Sequence, residues 1–146
     1  QSFLIFNGKE NPITEETAPD PLSIYGEAKW EMEQVVRKEL SNALVVRMGG
    51  FFGGFEHDKN FVGKFALFLK KSIDEGTKTI PVGDRVWQPT STKDLAENIT
   101  ALLEQEKIGV YHMASHGEAS FFDLAAAMVE IIGIGEKISI TKMPAE

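Results

Sequence analysis

Apolar and polar positions alternate along this chain in blocks of two different periods. Phe3-Leu4-Ile5-Phe6 is a short apolar run that predicts a buried strand over residues 1–6, closed by the turn dipeptide Asn7-Gly8. Residues 7–24 carry Pro12, Pro19 and Pro21 among Glu10, Glu15, Glu16 and Asp20 and read as a turn-rich acidic loop. From Ser23 to Leu40 the spacing becomes helical, with Ala28, Met32, Val35, Val36 and Leu40 on the expected inner face and Glu, Lys and Arg outside. Ala43-Leu44-Val45-Val46 predicts a buried parallel strand. Gly49, Gly50, Gly53 and Gly54 interleave with Phe51, Phe52 and Phe55 as a glycine-aromatic loop. A helix over 60–74 follows, with Phe61, Phe65, Phe68, Leu69 and Ile73 expected inward.

The second half continues the alternation. Thr79-Ile80-Pro81-Val82 predicts an edge strand, because proline cannot donate to a ladder. Ser91 with Asp94, and Ser120 with Asp123, mark two helix starts in the capping pattern, with Asp replacing the usual Glu or Gln. The first of these helices carries Leu95, Ile99, Leu102 and Leu103. The second carries Leu124, Met128, Ile131 and Ile132 and is stopped by Gly133. Val110–Met113 and Ile138–Ile140 predict two more strands. Strands alternating with helices imply an α/β architecture with largely parallel strands. The segment from Gly76 to Thr90 has no clear period and is assigned to a smaller lobe.

Composition narrows the chemistry. The chain has 146 residues, 15 Lys+Arg against 22 Asp+Glu, a formal charge of -7 and no cysteine. This length supports one sizeable core. The absence of cysteine excludes a disulfide framework, a thiolate metal site and a cysteine nucleophile. The acidic balance and the lack of a basic stripe argue against nucleic acid as a partner. No run approaches the roughly 18 apolar residues of a membrane span. His57, His112 and His116 lack metal-ligand spacing apart from the His112/His116 pair, and are read as structural or surface groups. There is no Gly-x-Gly-x-x-Gly and no P-loop. The chain begins at Gln1 and enters its first apolar run almost at once, which suggests a piece of a longer protein.

The most informative stretch is Tyr25-Gly26-Glu27-Ala28-Lys29. Tyr25 and Lys29 are four residues apart near the start of the first helix, hence on one face and one turn apart. A free phenol has a pKa of about 10 and is a poor acid–base group at neutral pH. A neighbouring ammonium favours the phenolate, so such a pair can give a proton to a carbonyl oxygen as hydride reaches the carbon. A surface tyrosine and lysine on an amphipathic helix is the bland alternative. Ser2 offers a hydroxyl that would complete a Ser/Tyr/Lys set.

Ser2-Phe3-Leu4-Ile5-Phe6-Asn7-Gly8, then Glu15-Glu16, Pro19, Pro21-Leu22, Tyr25-Gly26, Lys29 and Glu33, resemble the central block of extended short-chain dehydrogenase/reductases. The likeness is closest to the dTDP-4-dehydrorhamnose reductase branch. Val45-Val46-Arg47 with the glycine-aromatic loop, Asp84, Gln88-Pro89-Thr90, Asp94-Leu95-Ala96 and Gly109–Met113 with Gly117–Ser120 extend it over essentially the whole chain. Two departures stand out: Phe3-Leu4 where the branch carries Asp-Tyr, and Met48-Gly49-Gly50 where it carries Thr-Ser-Trp.

The resemblance implies a Rossmann-type fold of which residues 1–146 form the C-terminal part. The dinucleotide-binding half would precede Gln1, and substrate-lobe segments would cover about 50–90 and 115–146. It implies NAD(P)-dependent reduction of a keto group on a nucleotide-linked sugar, with NADPH or NADH as cofactor and no metal. Tyr25 would be the proton donor, Lys29 would favour its phenolate and bind the nicotinamide ribose, and Ser2 would take the place of the family Thr or Ser. Gly49, Gly50 and Phe51 would face the sugar, with Asn60, Arg85 and Gln88 on the nucleotide side, Arg85 supplying a cation to the pyrophosphate. Trp87 would stack on a base or sugar, or simply pack.

A cytoplasmic location, a homodimer and an inactive fragment complete the expectations, and a half-domain would expose the faces of Phe3–Phe6 and Leu44–Val46. A regulatory binding subunit is the competing expectation, since the beta subunit of methionine adenosyltransferase keeps this fold. A sugar-nucleotide epimerase or dehydratase is a third.

Overall fold

The computed structural model describes residues 2–9 and 11–144. The chain forms two compact units, Gln1–Gly49 with Lys93–Ala114, and Gly50–Thr92 with Ser115–Glu146. It is an α/β fold in which, among the described residues, three of four strand pairs are parallel.

In the first unit, helix α1 (Ile24–Glu39) starts where the spacing predicts. Ser23 caps it, its Oγ accepting from the Gly26 amide at 3.1 Å, and Leu40 ends it. Strand β1 (Leu44–Met48) pairs in parallel with β6 (Gly109–Met113), with Val45 opposite Val110 and Arg47 opposite His112. Helix α3 (Thr92–Glu104) buries Leu95.

The N-terminal run departs from expectation. Only Ser2 makes a strand-like contact, a parallel bridge to Met48. Phe3–Ile5 then curls into a single 3-10 turn because the Ser2 hydroxyl accepts from the Leu4 amide at 3.1 Å, a local bond that competes with a ladder. Ile5 and Phe6 are buried and Leu4 is exposed. The expected open faces at Phe3–Phe6 and Leu44–Val46 are therefore largely covered.

What lies open is on the helices. On α1 the buried residues are Gly26 and Glu33, whereas Ile24, Met32 and Val35 are exposed. The apolar stripe thus faces outward, and the inner face is held by a glycine contact and an ion pair.

The second unit contains β2 (Phe51–Phe52), α2 (Phe61–Asp74), β3 (Thr79–Gly83), β4 (Val86–Trp87), β5 (Thr90–Ser91), β7 (Ala119–Ser120), α4 (Phe121–Ile132) and β8 (Ser139–Met143). Strand β3 pairs in parallel with β8, β2 with β5, and β4 runs antiparallel to β7. Its core is Phe65, Leu69, Ile80, Val82, Ala125, Val129 and Ile138. Ser120 and Asp123 form a complete capping box at the start of α4, and Gly133 ends that helix at φ 73°, a conformation glycine adopts without steric cost. The buried face of α4 is centred on Ala125 and Val129, one residue round from the expected stripe, and Ile131 is 84% exposed. On α2, Phe65 and Leu69 are buried as expected, Ser72 joins them, and Phe68 is half exposed.

Candidate functional site

The first unit holds Ser2, Tyr25 and Lys29, and the 3-10 turn that follows Ser2 packs against α1. Gly26 is what permits this. A Cβ there would collide with the Leu4 carbonyl oxygen and lie 2.9 Å from Pro21 Cβ, so only glycine lets the first turn of α1 seat on the turn that begins at Ser2. Tyr25, next to this contact, is 53% exposed. The Lys29 ammonium lies 5.5 Å from the Tyr25 ring centroid, over its face. Tyrosine and lysine therefore meet as the four-residue spacing predicts. Gly49 belongs to the same unit and abuts Phe3, whose Cδ2 would be 3.1 Å from an added Cβ.

Beneath this helix lies a network that sequence reasoning assigned no role. Glu33, eight residues and about two turns beyond Tyr25, is 1% exposed, and Arg47 on β1 is 2% exposed. They form a fork: Arg47 Nε donates to Glu33 Oε2 at 3.0 Å and Nη2 to Oε1 at 2.6 Å. Arg37 approaches the same carboxylate from one turn along the helix at 3.7 Å. The other end of Arg47 reaches His112 Nε2 at 3.2 Å and the Glu15 carbonyl at 3.4 Å, and its guanidinium lies 5.4 Å from the Phe6 ring centroid.

Arginine has no acceptor, so His112 Nε2 must accept, and the ring proton sits on the other nitrogen. The ring is hydrogen-bonded to the Ile13 backbone and packs edge-on against Phe3 and Phe6. Burial, and the neighbouring Arg47 charge, hold the His112 pKa below its usual value against the opposing pull of Glu15. The His112 amide donates to Glu15 Oε1 at 2.6 Å, and this bond, outweighing desolvation, lowers the Glu15 pKa. Beyond the family resemblance that includes Glu33 and Arg47, a sequence signal that could have found this network is a charged residue inside an otherwise apolar strand, Arg47 in β1.

The second unit holds Gly50, Phe51, Asn60, Arg85 and Gln88. Gly50 lies flat against the Trp87 indole, where any side chain would clash, and its carbonyl accepts from the Thr90 amide at 3.2 Å. Phe51 pairs with Thr90 across β2 and β5. Arg85 and Gln88 flank β4. The Arg85 guanidinium lies 5.3 Å over the Phe121 ring, and the Gln88 side-chain amide meets the Ser115 carbonyl at 3.4 Å. Trp87 stacks on Phe121 at 5.1 Å, and its buried indole N–H meets no acceptor.

Asn60 precedes α2 without capping it through its side chain. Its amide instead donates to Asp58 at 2.8 Å, and Gly53 donates to the same carboxylate at 3.0 Å. Burial pushes the Asp58 pKa up, but bonds from the Gly53, Asn60 and Gly63 amides outweigh it and leave the group more acidic than usual. Asp58, which the sequence reading missed, thus organises the glycine-aromatic loop. Among the described residues no cluster of three or more His, Asp or Glu side chains could hold a metal ion, and no helix is long and apolar enough to cross a membrane.

Comparison with known proteins gives this geometry a context. The family described as the RmlD substrate binding domain matches residues 2–144. A dTDP-4-keto-6-deoxy-D-glucose reductase from Streptomyces niveus is 33% identical over 132 residues, covering 88% of this chain and 43% of that protein. Methionine adenosyltransferase 2 subunit beta from Danio rerio is 27% identical, covering 97% of this chain and 45% of that protein. The chain thus spans less than half the length of these relatives. Among solved structures, a dTDP-4-dehydrorhamnose reductase from Clostridium acetobutylicum superposes with a TM-score of 0.85 at 27% identity, over 99% of this chain and 49% of that one. A dTDP-4-dehydrorhamnose reductase from Bacillus anthracis in complex with NADP shares the fold, with a TM-score of 0.83 at 24% identity over 99% of this chain and 49% of that one.

Proposed function

This chain belongs to the RmlD substrate binding domain family, and on that premise we propose that the protein carrying it reduces a keto group on a nucleotide-linked sugar with NADPH or NADH. The observation that carries the reading is the Tyr25–Lys29 pair, seated at a capped helix start with the ammonium over a half-exposed phenol ring.

This arrangement fits a nicotinamide riboside, whose ribose hydroxyls Lys29 would hold. When bound, the cofactor supplies the hydride. Ser2 orients the substrate carbonyl, and Tyr25 gives its proton to the oxygen as negative charge develops there. Lys29 stabilises the phenolate left behind. The second unit is the substrate lobe in this reading. Gly49, Gly50 and Phe51 are the sugar-side candidates of this reading, and Asn60, Arg85 and Gln88 its candidates for the nucleotide side.

The test is Tyr25→Phe in the protein that contains this chain, assayed with keto-sugar nucleotides and NADPH. Turnover should fall about 100-fold or more. Unchanged turnover overturns the reading. The similarity to methionine adenosyltransferase 2 subunit beta supports a second reading, a binding subunit. Its mark would be co-purification with another enzyme and no sugar-dependent cofactor oxidation.

A further inference from the structure

We infer that Arg47 is a positioning residue for the Tyr25–Lys29 pair, acting through Glu33. The inference rests on the reductase reading for its kinetic part and on geometry alone for the rest. Tyr25, Lys29 and Glu33 succeed one another at four-residue intervals, so they form one row along α1. The last of the row is pinned. Both Glu33 oxygens are engaged by two nitrogens of one guanidinium, a bidentate match that fixes orientation as well as distance. Arg47 is itself fixed. It stands on β1, which is laddered to β6, with His112 and the Glu15 carbonyl at its far side and the Phe6 ring beneath.

The other fully buried residue of α1 is Gly26, seated on Leu4 beside Tyr25, while Trp30 and Val36 are half-buried and Ile24, Met32 and Val35 are exposed. Beyond that first-turn seat, the Glu33–Arg47 fork is the directional contact that fixes the helix phase. Arg47 therefore sets the rotation of α1 about its own axis, and with it the direction in which Tyr25 and Lys29 point. A side chain eight residues along a rigid helix transmits such a rotation in full.

Arg47→Lys and Glu33→Gln test this, because each removes the fork while keeping a polar partner. Tyr25 and Tyr111 are the chain's two tyrosines, so fluorotyrosine labelling gives two signals, assigned with Tyr111→Phe. In the 146-residue chain both variants should move the Tyr25 fluorine signal at temperatures where circular dichroism shows the fold intact. In the full protein kcat should fall about 10- to 100-fold with KM little changed, the mark of misplaced reacting groups. Ser120→Ala, which weakens a helix cap in the other unit, should lower Tm without moving the Tyr25 signal.

If both variants lower Tm but leave the Tyr25 signal and kcat unchanged, Arg47 merely braces the fold and the inference is wrong. If Tyr25→Phe leaves turnover intact, the reductase reading fails by itself, and the fluorine signal alone then decides whether Arg47 orients Tyr25. Should Arg47→Lys not fold, Glu33→Gln carries the same measurement.

Discussion

At the scale of single residues, the most consequential groups are the ones whose charge contradicts their burial. Arg47 and Glu33 are withdrawn from water and satisfied only by each other and a few fixed neighbours. Arg47→Met would strand the Glu33 carboxylate. Such broken buried pairs cost about 3–5 kcal/mol, so a large fall in Tm is expected by calorimetry.

His112 gives a second prediction. Its folded pKa lies below the ordinary 6.5, so the neutral ring is favoured by the fold. The unfolded chain then binds the proton more readily, and stability should decline as pH falls from about 6.5 towards the folded value. The charged groups facing the ring are Arg47, Glu15 and Glu33. His112→Asn should flatten this part of a urea-melt pH profile, and Nδ1–H should be the tautomer seen by nitrogen NMR. Glu15, with its pKa lowered from 4.5, adds stability above that pH that is lost further into acid. None of this was legible in the sequence as a network. Arg47 and Glu33 stood out only as residues shared with a family, and Glu15 and His112 lie 97 positions apart.

At the scale of elements, the boundaries were legible and the faces were not. Ser23 and Leu40 bracket α1, and Ser120, Asp123 and Gly133 bracket α4, because caps are local chemistry between neighbours in sequence. The inward face is not local. Periodicity identifies which side of a helix is apolar, but α1 turns a carboxylate and a glycine inward, and α4 turns Ala125 and Val129 inward past bulkier isoleucines. Phe3–Ile5 was misread as strand for a related reason, since the Ser2 hydroxyl outcompetes the ladder.

Two measurements belong here. Ser120→Ala removes a buried hydroxyl from the capping box and should cost about 1 kcal/mol. It should also shrink the acid limb below pH 3.8, because the Ser120 side chain, then its amide, keep Asp123 ionised in the fold. Gly26→Ala should cost about 1–3 kcal/mol, since the added methyl meets the Leu4 carbonyl. It should also reduce turnover beyond its effect on Tm.

At the scale of the molecule, the exposed apolar residues set the expectation. Ile24, Met32 and Val35 line one side of α1, and Ile131 stands out from α4. Large apolar side chains left exposed on a helix face favour association. The 146-residue chain is expected to elute above its 16.2 kDa monomer mass, and Ile24→Lys with Val35→Glu to restore a monomer. The reductase reading also predicts weak NADPH and NADH binding by this chain, which contains no glycine-rich dinucleotide fingerprint, and tight binding by a version extended to the length of its relatives. Titration of nicotinamide fluorescence on both forms checks it.

The division of the chain into two units has a consequence for the order in which the protein can be made. Each unit is assembled from two separated stretches, with the backbone passing from one to the other at residues 49–50, 92–93 and 114–115. Strand β1 has to wait for β6 across residues 49–108, and β3 for β8 across residues 84–138. A ribosome delivering the chain from its N-terminus therefore cannot release one finished unit before beginning the next. While residues 50–92 emerge, Leu44–Met48 lacks its β6 ladder, and Thr79–Gly83 lacks its β8 partner until Ser139–Met143 follows. Such delayed pairing is slow and leaves strand edges open in the interval. A chain truncated just before Ser139 would lose the partner of β3, and with it the parallel ladder beside the core of the second unit.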